Sequence, residues 1–281
     1  MFSINRELLW SFIYVVKSRR DSLFIEKVKN KPELHRSFQT IQALYLTTLM
    51  NKHTLLKNYI KTHPDRIGKV VDYNPETDRL FRFDFTISNI ELSPEDILDT
   101  EKFSAWVNSK LKENKCRYGI GGYMEHRTLY ARSELFNTED EPRRLHLGID
   151  IWADAGTPVY APMDGRVHSF QDNDHFGDYG PTVILQHDLD GLILYTLYGH
   201  LDRKSLDKLS VGKPIAKDDQ IAVFGSQEVN GHWPPHLHFQ LMFDMEGKWG
   251  DYPGVGYYSE KENYLQNIPD PNLILRFSNI K

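Results

Sequence analysis

The sequence has few of the features that mark several common classes of protein. Its only cysteine is Cys116, so it can form no internal disulfide and no cysteine-rich zinc finger. It has no apolar run of the roughly 18 residues that a membrane-spanning helix requires. The chain of 281 residues is 40% hydrophobic and 12% aromatic, which is enough to bury a core and excludes disorder over most of its length. These properties predict a globular chain without a transmembrane segment.

Charge is unevenly distributed along the chain. The net charge of −5 indicates no nucleic-acid partner. Residues 1–65 carry +6 and the remainder carries −11. Either the two parts attract each other, or the basic part forms an ordinary solvated helical surface. No pattern in the sequence indicates an oligomeric state.

Glycine divides the chain into regions of different character. None of the 18 glycines precedes Gly68, and 17 of them lie between Gly119 and Gly256. Apolar residues at three- and four-residue spacing predict helices over about 5–28 and 40–63. The glycine-punctuated part after residue 117 predicts short antiparallel strands. We expect an α+β protein with a helical N-terminal region (1–66), a β domain (117–281) and a mixed connecting region packed on that domain (67–116).

The N-terminal segment LLWSFIYVV is similar to the apolar region of a signal peptide. However, Lys17, Arg19 and Arg20 follow it, and no small-residue cleavage site is present. The segment is therefore interpreted as an ordinary amphipathic helix, and the expected location is the cytoplasm. The alternative is export by an atypical N-terminal segment.

The segment HLGIDIW places His146 and Asp150 four residues apart. This spacing puts both side chains on one face of a helix or of a strand. Gly148, Ile149 and Ile151 favour the strand. We expect His146 and Asp150 to project from one face while the aliphatic side chains between them pack into the core.

Further histidines occur in the apolar segments LILYTLYGH and PPHLHFQL. His236 and His238 are two residues apart, so both imidazoles face the same side of a strand. His200 ends the other segment, which predicts a buried strand. Hydrolytic zinc sites use three His, Asp or Glu ligands and leave one position for water. His146, Asp150 and one of the two HLH histidines supply such a set.

Together these motifs resemble the lysostaphin-type, LytM-like zinc metallopeptidases. The resemblance runs from about Leu145 to Leu241 through HLGIDIWADAGTPVYAPMDGRV, LYGH, GKPIAKDDQIAVFG and PPHLHF, in that order. It implies an antiparallel β-sheet domain of the duplicated hybrid motif type with the metal in an open groove. It also implies cleavage of a peptide or amide bond by a zinc-bound water. In most relatives that bond lies in a bacterial peptidoglycan cross-bridge.

The resemblance assigns roles to five residues. It implies that His146, Asp150 and His238 are the zinc ligands, and that His200 and His236 are the unligated active-site histidines. One of these two takes the proton of the water or hydrogen-bonds the oxyanion, and the sequence does not tell which. The helix motif HExxH, with its glutamate base, is absent from the sequence, so a histidine must do this work.

Substrate contacts are predicted from two neighbouring segments. The tyrosine that the family often has shortly before the first histidine is missing from NTEDEPRRLH, where Arg144 is a cationic substitute. The loop QDNDHFGDYGP borders the expected groove and makes Asn173 and Tyr179 candidate contacts. The alternative is an ordinary polar hairpin loop. Glu125 or His126 is a candidate to cover the open metal position.

Asp164-Gly165 predicts a two-residue turn between two strands. This dipeptide lies inside the GTPVYAPMDGRV segment that carries part of the resemblance.

A second resemblance leaves the substrate open. The segments GIGGYMEHRTLY, YTLYGHL and GHWPPHLHFQL are similar to a domain that lies beside a phosphotransferase and an aminotransferase in bacterial multidomain proteins. That similarity implies a cytoplasmic amidase acting on a small metabolite. A catalytically silent metal-binding or regulatory module is a further alternative. Because every ligand position is filled, we expect a bacterial zinc metalloendopeptidase acting on a peptide or amide, with peptidoglycan fragments as candidate substrates.

Overall fold

The computed structural model of the protein describes residues 52–137 and 141–278. The chain divides into two units, Met1–Lys52 and His53–Lys281, and nearly all described residues belong to the second. The helix expected over about 5–28 lies outside the described residues. Of the second expected helix, residues 52–63 are described, and 52–62 of them are helical. Within the described ranges, no helix is long and apolar enough to cross a membrane.

Twelve strands are formed by the described residues, and eight of them build one central sheet. They are β1 (Leu80–Phe83), β2 (Tyr118–Gly121), β3 (Leu145–His146), β4 (Ile149–Trp152), β5 (Pro158–Tyr160), β6 (Gly165–Asn173), β7 (Gly180–Leu189), β8 (Leu192–Gly199), β9 (Pro214–Ile215), β10 (Gln220–Val223), β11 (His236–Met242) and β12 (Val255–Gly256). The order in the central sheet is β1-β2-β4-β11-β8-β7-β6-β9. Only the β1–β2 pair in it is parallel. The expected α+β class with an antiparallel β domain is confirmed.

In β11, apolar residues alternate with histidines, so one face of the strand contributes to the core and the other to the candidate site. Successive side chains of a strand point to opposite faces. Leu237, Phe239 and Leu241 are completely buried in the main hydrophobic core, so His236 and His238 fall on the other face. Each buried side chain of this size stabilises the fold by about 1.5–3 kcal/mol. A one-residue slip would exchange the two faces, and the register is therefore strongly specified.

The two-residue turn predicted at Asp164-Gly165 is not a hairpin turn. Asp164 lies between β5 and β6 and Gly165 begins β6, but β5 pairs with β10, whereas β6 pairs with β7 and β9. The two-residue hairpin turn is Asp190-Gly191, which joins β7 to β8 with φ angles of 54° and 93°. Two consecutive positive φ angles are typical of the tight turns that match the twist of antiparallel strands.

One long helix packs on β1 and β2, at one edge of the central sheet. The longest fully described helix, Thr100–Asn114, begins at Asp99, whose carboxylate accepts the first free N–H groups. Phe103, Val107 and Leu111 recur every four residues and pack into a second cluster that includes Trp152. The other α-helices with both ends described are Pro94–Leu98, Lys261–Asn267 and Asn272–Leu275. Ser93 caps the first of these.

Candidate metal centre

Three buried donor atoms meet where the chain passes from β3 into β4, which pairs with β11. His238 is the register partner of Asp150 across β11 and β4, and His146 ends β3 just before β4 begins. His146 Nε2, Asp150 Oδ1 and His238 Nδ1 lie within 3.1 Å of one another. Each of the three residues is at most 3% exposed. The structure thus brings together the three side chains that the resemblance singled out.

Each of the two imidazoles donates its one N–H away from this point, so its other ring nitrogen directs a lone pair towards it. His146 Nδ1 donates to Gly122 O at 2.7 Å. His238 Nε2 donates to Gln240 Oε1 at 2.9 Å, and the amide of Gln240 is itself fixed because it donates to Pro253 O. Two nitrogen lone pairs and a carboxylate oxygen then converge with no proton between them, which is repulsive unless a cation lies among them. This donor set fits zinc, with protein groups fixing each tautomer from outside.

Arg127 holds the second oxygen of Asp150. Its side chain is 1% exposed, and its Nη1 donates to Asp150 Oδ2 at 2.5 Å while its Nε donates to Glu125 Oε2 at 2.7 Å. Gly121 leaves the room for this contact, since a Cβ there would lie 2.5 Å from Arg127 Nη2. Burial by itself would raise the pKa of Asp150, but His146 and Arg127 hold it well below its ordinary value. Asp150 is therefore an anion at neutral pH.

His200 and His236 lie side by side next to the donor set. Their ring centroids are 4.1 Å apart, and His236 Nε2 is 4.0 Å from Asp150 Oδ1. His200 Nδ1 donates to Asn230 O and His236 Nδ1 donates to Pro234 O, both at 2.8 Å. Burial lowers the pKa of His236 to about 4 and holds that of His200 well below its ordinary value. Both imidazoles are therefore neutral at pH 7, each with an unprotonated Nε2.

Backbone and aromatic contacts fix these two imidazoles further. His200 has a φ of 62°, in the left-handed region, a conformation that a non-glycine residue adopts at a cost of roughly 1 kcal/mol or more and often at functional sites. The ring of His236 stacks on Trp152 with centroids 4.0 Å apart. The positions of both rings are thus set before any substrate binds.

Asp150 and His238 of the donor set line one cleft together with His200 and His236. Tyr130 stands beside Arg127, whose Nη1 donates to its hydroxyl at 3.1 Å. The wall of the cleft is largely aromatic and apolar, with three charged side chains near its rim; these residues include Leu135, Phe136, Arg143, Asp178, Tyr179, Trp233, Asp251, Tyr252 and Val255.

The three predicted substrate contacts have different surroundings. Tyr179 lines the cleft. Asn173 is buried in β6, where its amide donates to Thr182 Oγ1 and to a backbone carbonyl. Arg144 donates to two backbone carbonyls and to Asn137 Oδ1. Asn173 and Arg144 were predicted to contact the substrate, but neither side chain lines the cleft. Both use their polar groups in hydrogen bonds inside the fold.

Neither candidate for covering the metal position does so. Glu125 is paired with Arg127, and the ring of His126 packs edge-on against Tyr258. Within the described residues, the only group of three or more potential ligands close enough to hold one ion is His146, Asp150 and His238.

Several residues of the site had no role in the sequence analysis. Gln240 could have been found from the sequence, because it follows His238 by two positions and therefore shares its face of β11. Arg127 lies 23 positions before Asp150, and no spacing rule connects an arginine and an aspartate at that distance. Asp178 and Asp251 come from separate loops, and nothing local indicates that they share a cleft.

Comparison with known proteins identifies the family of this domain. The sequence model of Peptidase family M23 matches residues 144–249. An uncharacterized metalloprotease of Haemophilus influenzae is 36% identical over 105 residues, which are 37% of this chain and 20% of that protein. The peptidoglycan DD-endopeptidase ShyA of Vibrio cholerae is 32% identical over 112 residues, 36% of this chain and 23% of that protein. The chain thus spans less than a quarter of the length of either relative.

Among solved structures, the catalytic domain of lysostaphin from Staphylococcus simulans is similar over 62% of this chain and 98% of that domain. The two are 21% identical, with a TM-score of 0.36. All three converging donors, His146, Asp150 and His238, lie inside the matched range of the family. Residues 144–249 are therefore a metallopeptidase domain of Peptidase family M23, the family of the LytM and lysostaphin type.

Proposed function

We propose that this chain is a zinc-dependent endopeptidase or amidase that cleaves a peptide or amide bond, with peptidoglycan cross-bridges and muropeptides as its substrate class. One observation carries the proposal: two neutral imidazoles, His200 and His236, lie beside three converging donor atoms in the same cleft. We assign the metal to His146, Asp150 and His238 and the proton transfers to the other two histidines.

The two assigned histidines differ from a structural histidine of the same fold. His187 is buried with both ring nitrogens in hydrogen bonds, one to Asp164 O and one to Thr196 Oγ1. Within the described residues, His200 and His236 each have one such bond, through Nδ1. A ring nitrogen left without a protein partner at the wall of a cleft is available to a substrate or a water molecule.

Zinc held at this site would polarise the scissile carbonyl and lower the pKa of a water molecule towards neutrality. Arg127 keeps Asp150 ionised and occupies Oδ2, so Oδ1 alone faces the centre. One of the two Nε2 atoms, that of His200 or that of His236, accepts the proton that the attacking water loses and returns it to the leaving nitrogen. Proton transfer of this kind contributes about 10²- to 10⁴-fold to a rate.

The substrate class has separate support. The curated relative from Vibrio cholerae is a peptidoglycan endopeptidase, and it matches this chain over 112 residues. Tyr130, Phe136 and Trp233 line the cleft, and aromatic walls of this kind exclude water and hold an extended peptide. A small-metabolite amide is the competing substrate, since it reaches the same imidazoles.

The test uses the full chain, loaded with zinc, and two substrate panels: cross-linked muropeptides and small amides. We expect one zinc per chain by elemental analysis and cleavage of muropeptides. Asp150→Asn loses the zinc and the activity together. His200→Ala and His236→Ala keep the zinc and lose about 10²- to 10⁴-fold in kcat.

Asp207→Asn is the matched control, because Asp207 is exposed and lies outside the cleft. It should retain the zinc content and the activity of the wild type. Cleavage of the small amides alone would exclude the muropeptide assignment. Full activity in a zinc-free Asp150→Asn protein would refute the metal mechanism, and zinc binding without cleavage of either panel would favour the silent module.

A further inference from the structure

We propose that Asp178 and Asp251 form a subsite that binds a primary ammonium group of the substrate. The inference rests on the proposed hydrolase function and adds the class of peptide, one with a free amine near the scissile bond. Both carboxylates line the same cleft as His200, His236 and His238. They come from separate loops, Asp178 just before β7 and Asp251 between β11 and β12.

Neither carboxylate is held in an ion pair within the described part of the chain. Among the described residues, no Lys, Arg or His nitrogen pairs with either of them, and Asp178 Oδ1 accepts only the backbone N–H of Tyr179, at 2.8 Å. The positive charge of Arg143 lowers the pKa of both carboxyl groups, and that of Lys248 lowers the pKa of Asp251. However, neither cation forms an ion pair with these carboxylates. Burial raises the pKa of both carboxyl groups. Asp178 is half-buried and Asp251 is exposed, so the wall holds negative charge, partly desolvated at Asp178, that a bound cation would stabilise.

Tyr179 independently indicates that a ligand belongs at this wall. The residue is 8% exposed, and its hydroxyl is buried without a hydrogen-bond partner. Tyr179 follows Asp178 in the chain and lines the same cleft as Asp251. An unpaired buried hydroxyl costs about 1–3 kcal/mol. Such a group calls for a missing partner, which a bound ligand supplies.

The chemistry of the three groups matches an ammonium ion. A primary ammonium has three N–H donors and no acceptor, and the wall offers two carboxylates and one phenol oxygen. Phosphate or carboxylate ligands would be repelled by the same wall. A primary ammonium makes charge-assisted hydrogen bonds with carboxylates, which are roughly twice as strong as neutral ones.

The position of Asp178, Tyr179 and Asp251 relative to the histidines restricts where the amine lies in the substrate. The ring of Tyr179 is 5.1 Å from that of His238 and 5.5 Å from that of His200, measured between centroids. An extended peptide advances about 3.3–3.6 Å per residue. The amine therefore belongs to a residue within about two positions of the scissile bond. It is either the α-ammonium of the peptide or the ammonium of a lysine-like side chain.

Calorimetry with four peptides separates these two sources. The probes are Ala-Lys-Ala-Ala with both amines free and its forms acetylated at the α-amine, at the lysine side chain, or at both. The protein is the zinc-loaded full chain carrying His236→Ala, which holds peptides without turning them over. We expect acetylation of one amine to weaken binding about tenfold or more, because it removes a charge-assisted contact, and acetylation of the other to have little effect.

The variants Asp178→Asn and Asp251→Asn, each added to His236→Ala, locate the effect. Each should bring the affinity for the free-amine peptide close to that for its acetylated form. Asp207→Asn in the same background should keep the discrimination, because it removes an exposed carboxylate outside the cleft. Zinc content measured on every variant shows that the site is intact.

The outcomes distinguish this inference from the proposed function. Equal affinity for all four peptides, including no measurable binding of any, overturns the ammonium subsite. Discrimination that persists in both Asp178→Asn and Asp251→Asn overturns it as well. A wild-type enzyme that cleaves muropeptides without preference for the free amine keeps the hydrolase and loses the subsite. Amine-dependent binding in a protein that cleaves nothing supports the subsite and refutes the hydrolase.

Discussion

Arg127 Nη1 donates a 2.5 Å hydrogen bond to Asp150 Oδ2, and the two side chains are only 1% and 3% exposed. The two oxygens of Asp150 therefore have different partners. Oδ2 pairs with the guanidinium, whereas Oδ1 faces His146 and His238. Arg127 also pairs with Glu125. The group of three charged side chains carries a net charge of −1, which a divalent cation at the donor set would more than compensate.

The first prediction is that Arg127→Met destabilises the fold and weakens metal binding. The change leaves two buried carboxylates without their cation, and breaking a buried pair typically costs about 3–5 kcal/mol. Loss of a group that orients a metal ligand typically lowers metal affinity about 10- to 100-fold. Urea unfolding of the zinc-free chain measures the first effect, and competition with a chelator measures the second.

Arg117→Met is the matched control for this variant. Arg117 forms a hydrogen-bonded ion pair with Asp78 at 3.1 Å, but its side chain is 49% exposed. Ion pairs at the surface contribute about 0–1 kcal/mol. Similar losses of stability in the two variants would contradict the role assigned to the buried pair.

The second prediction concerns Gln240, which fixes the tautomer of His238. Gln240 is fully buried, and its Oε1 accepts the Nε2–H of His238. Gln240→Leu removes that acceptor, so His238 can turn or exchange tautomer, and we expect zinc affinity to fall about 10- to 100-fold. Gln186→Leu is the control. It removes a glutamine of β7 that hydrogen-bonds Arg166 of β6, and it should leave the zinc affinity unchanged. Equal zinc affinities in the two variants would exclude this role.

The third prediction tests the close packing around His238. A Cβ on Gly148 would lie 2.5 Å from His238 Nε2 and 2.8 Å from Phe239 O. Gly148→Ala should therefore displace the imidazole and reduce the zinc content of the purified chain. Gly156→Ala separates this clash from backbone strain, because Gly156 has a φ of 84° but no atom within 4 Å of its Cβ position. That variant should lose about 1–2 kcal/mol of stability and keep its zinc.

Strand periodicity predicted only part of the donor set. It put His146 with Asp150 and His236 with His238 on shared faces, and the family resemblance, not the spacing, singled out His238. Arg127 was not accessible in this way. Its partner is distant in the sequence, and the contact depends on the β2–β4 register and on the missing side chain of Gly121.

The two Asp-Gly dipeptides show a second limit of local patterns. Asp164-Gly165 and Asp190-Gly191 are identical in sequence, but only the second closes a hairpin. It joins strands of ten and eight residues that pair with each other, whereas the first follows the three-residue β5, which pairs elsewhere. Strand pairing is a tertiary property, so the same dipeptide predicts a turn in both places and a hairpin in only one.

The last prediction concerns the acid stability of the fold and uses His187, which lies outside the cleft. His187 is completely buried, and its ring nitrogens contact Asp164 O at 2.9 Å and Thr196 Oγ1 at 2.8 Å. Burial lowers its pKa to about 4, whereas an unfolded chain has a histidine pKa of about 6.5. The unfolded chain therefore binds the proton more tightly. The contribution of neutral His187 to stability is complete above about pH 6.5 and is lost as the pH falls towards about 4.

His187→Gln removes this proton linkage, so the variant should be less sensitive to acid than the wild type. Between pH 7.5 and pH 5.0 the wild type should lose about 2 kcal/mol more unfolding free energy than the variant, because each pH unit below the unfolded pKa is equivalent to about 1.4 kcal/mol. Urea unfolding of both zinc-free proteins at the two pH values measures the difference, and the contributions of the histidines that they share cancel. Equal pH dependence in the two proteins would show that the proton taken up on acid unfolding does not go to His187.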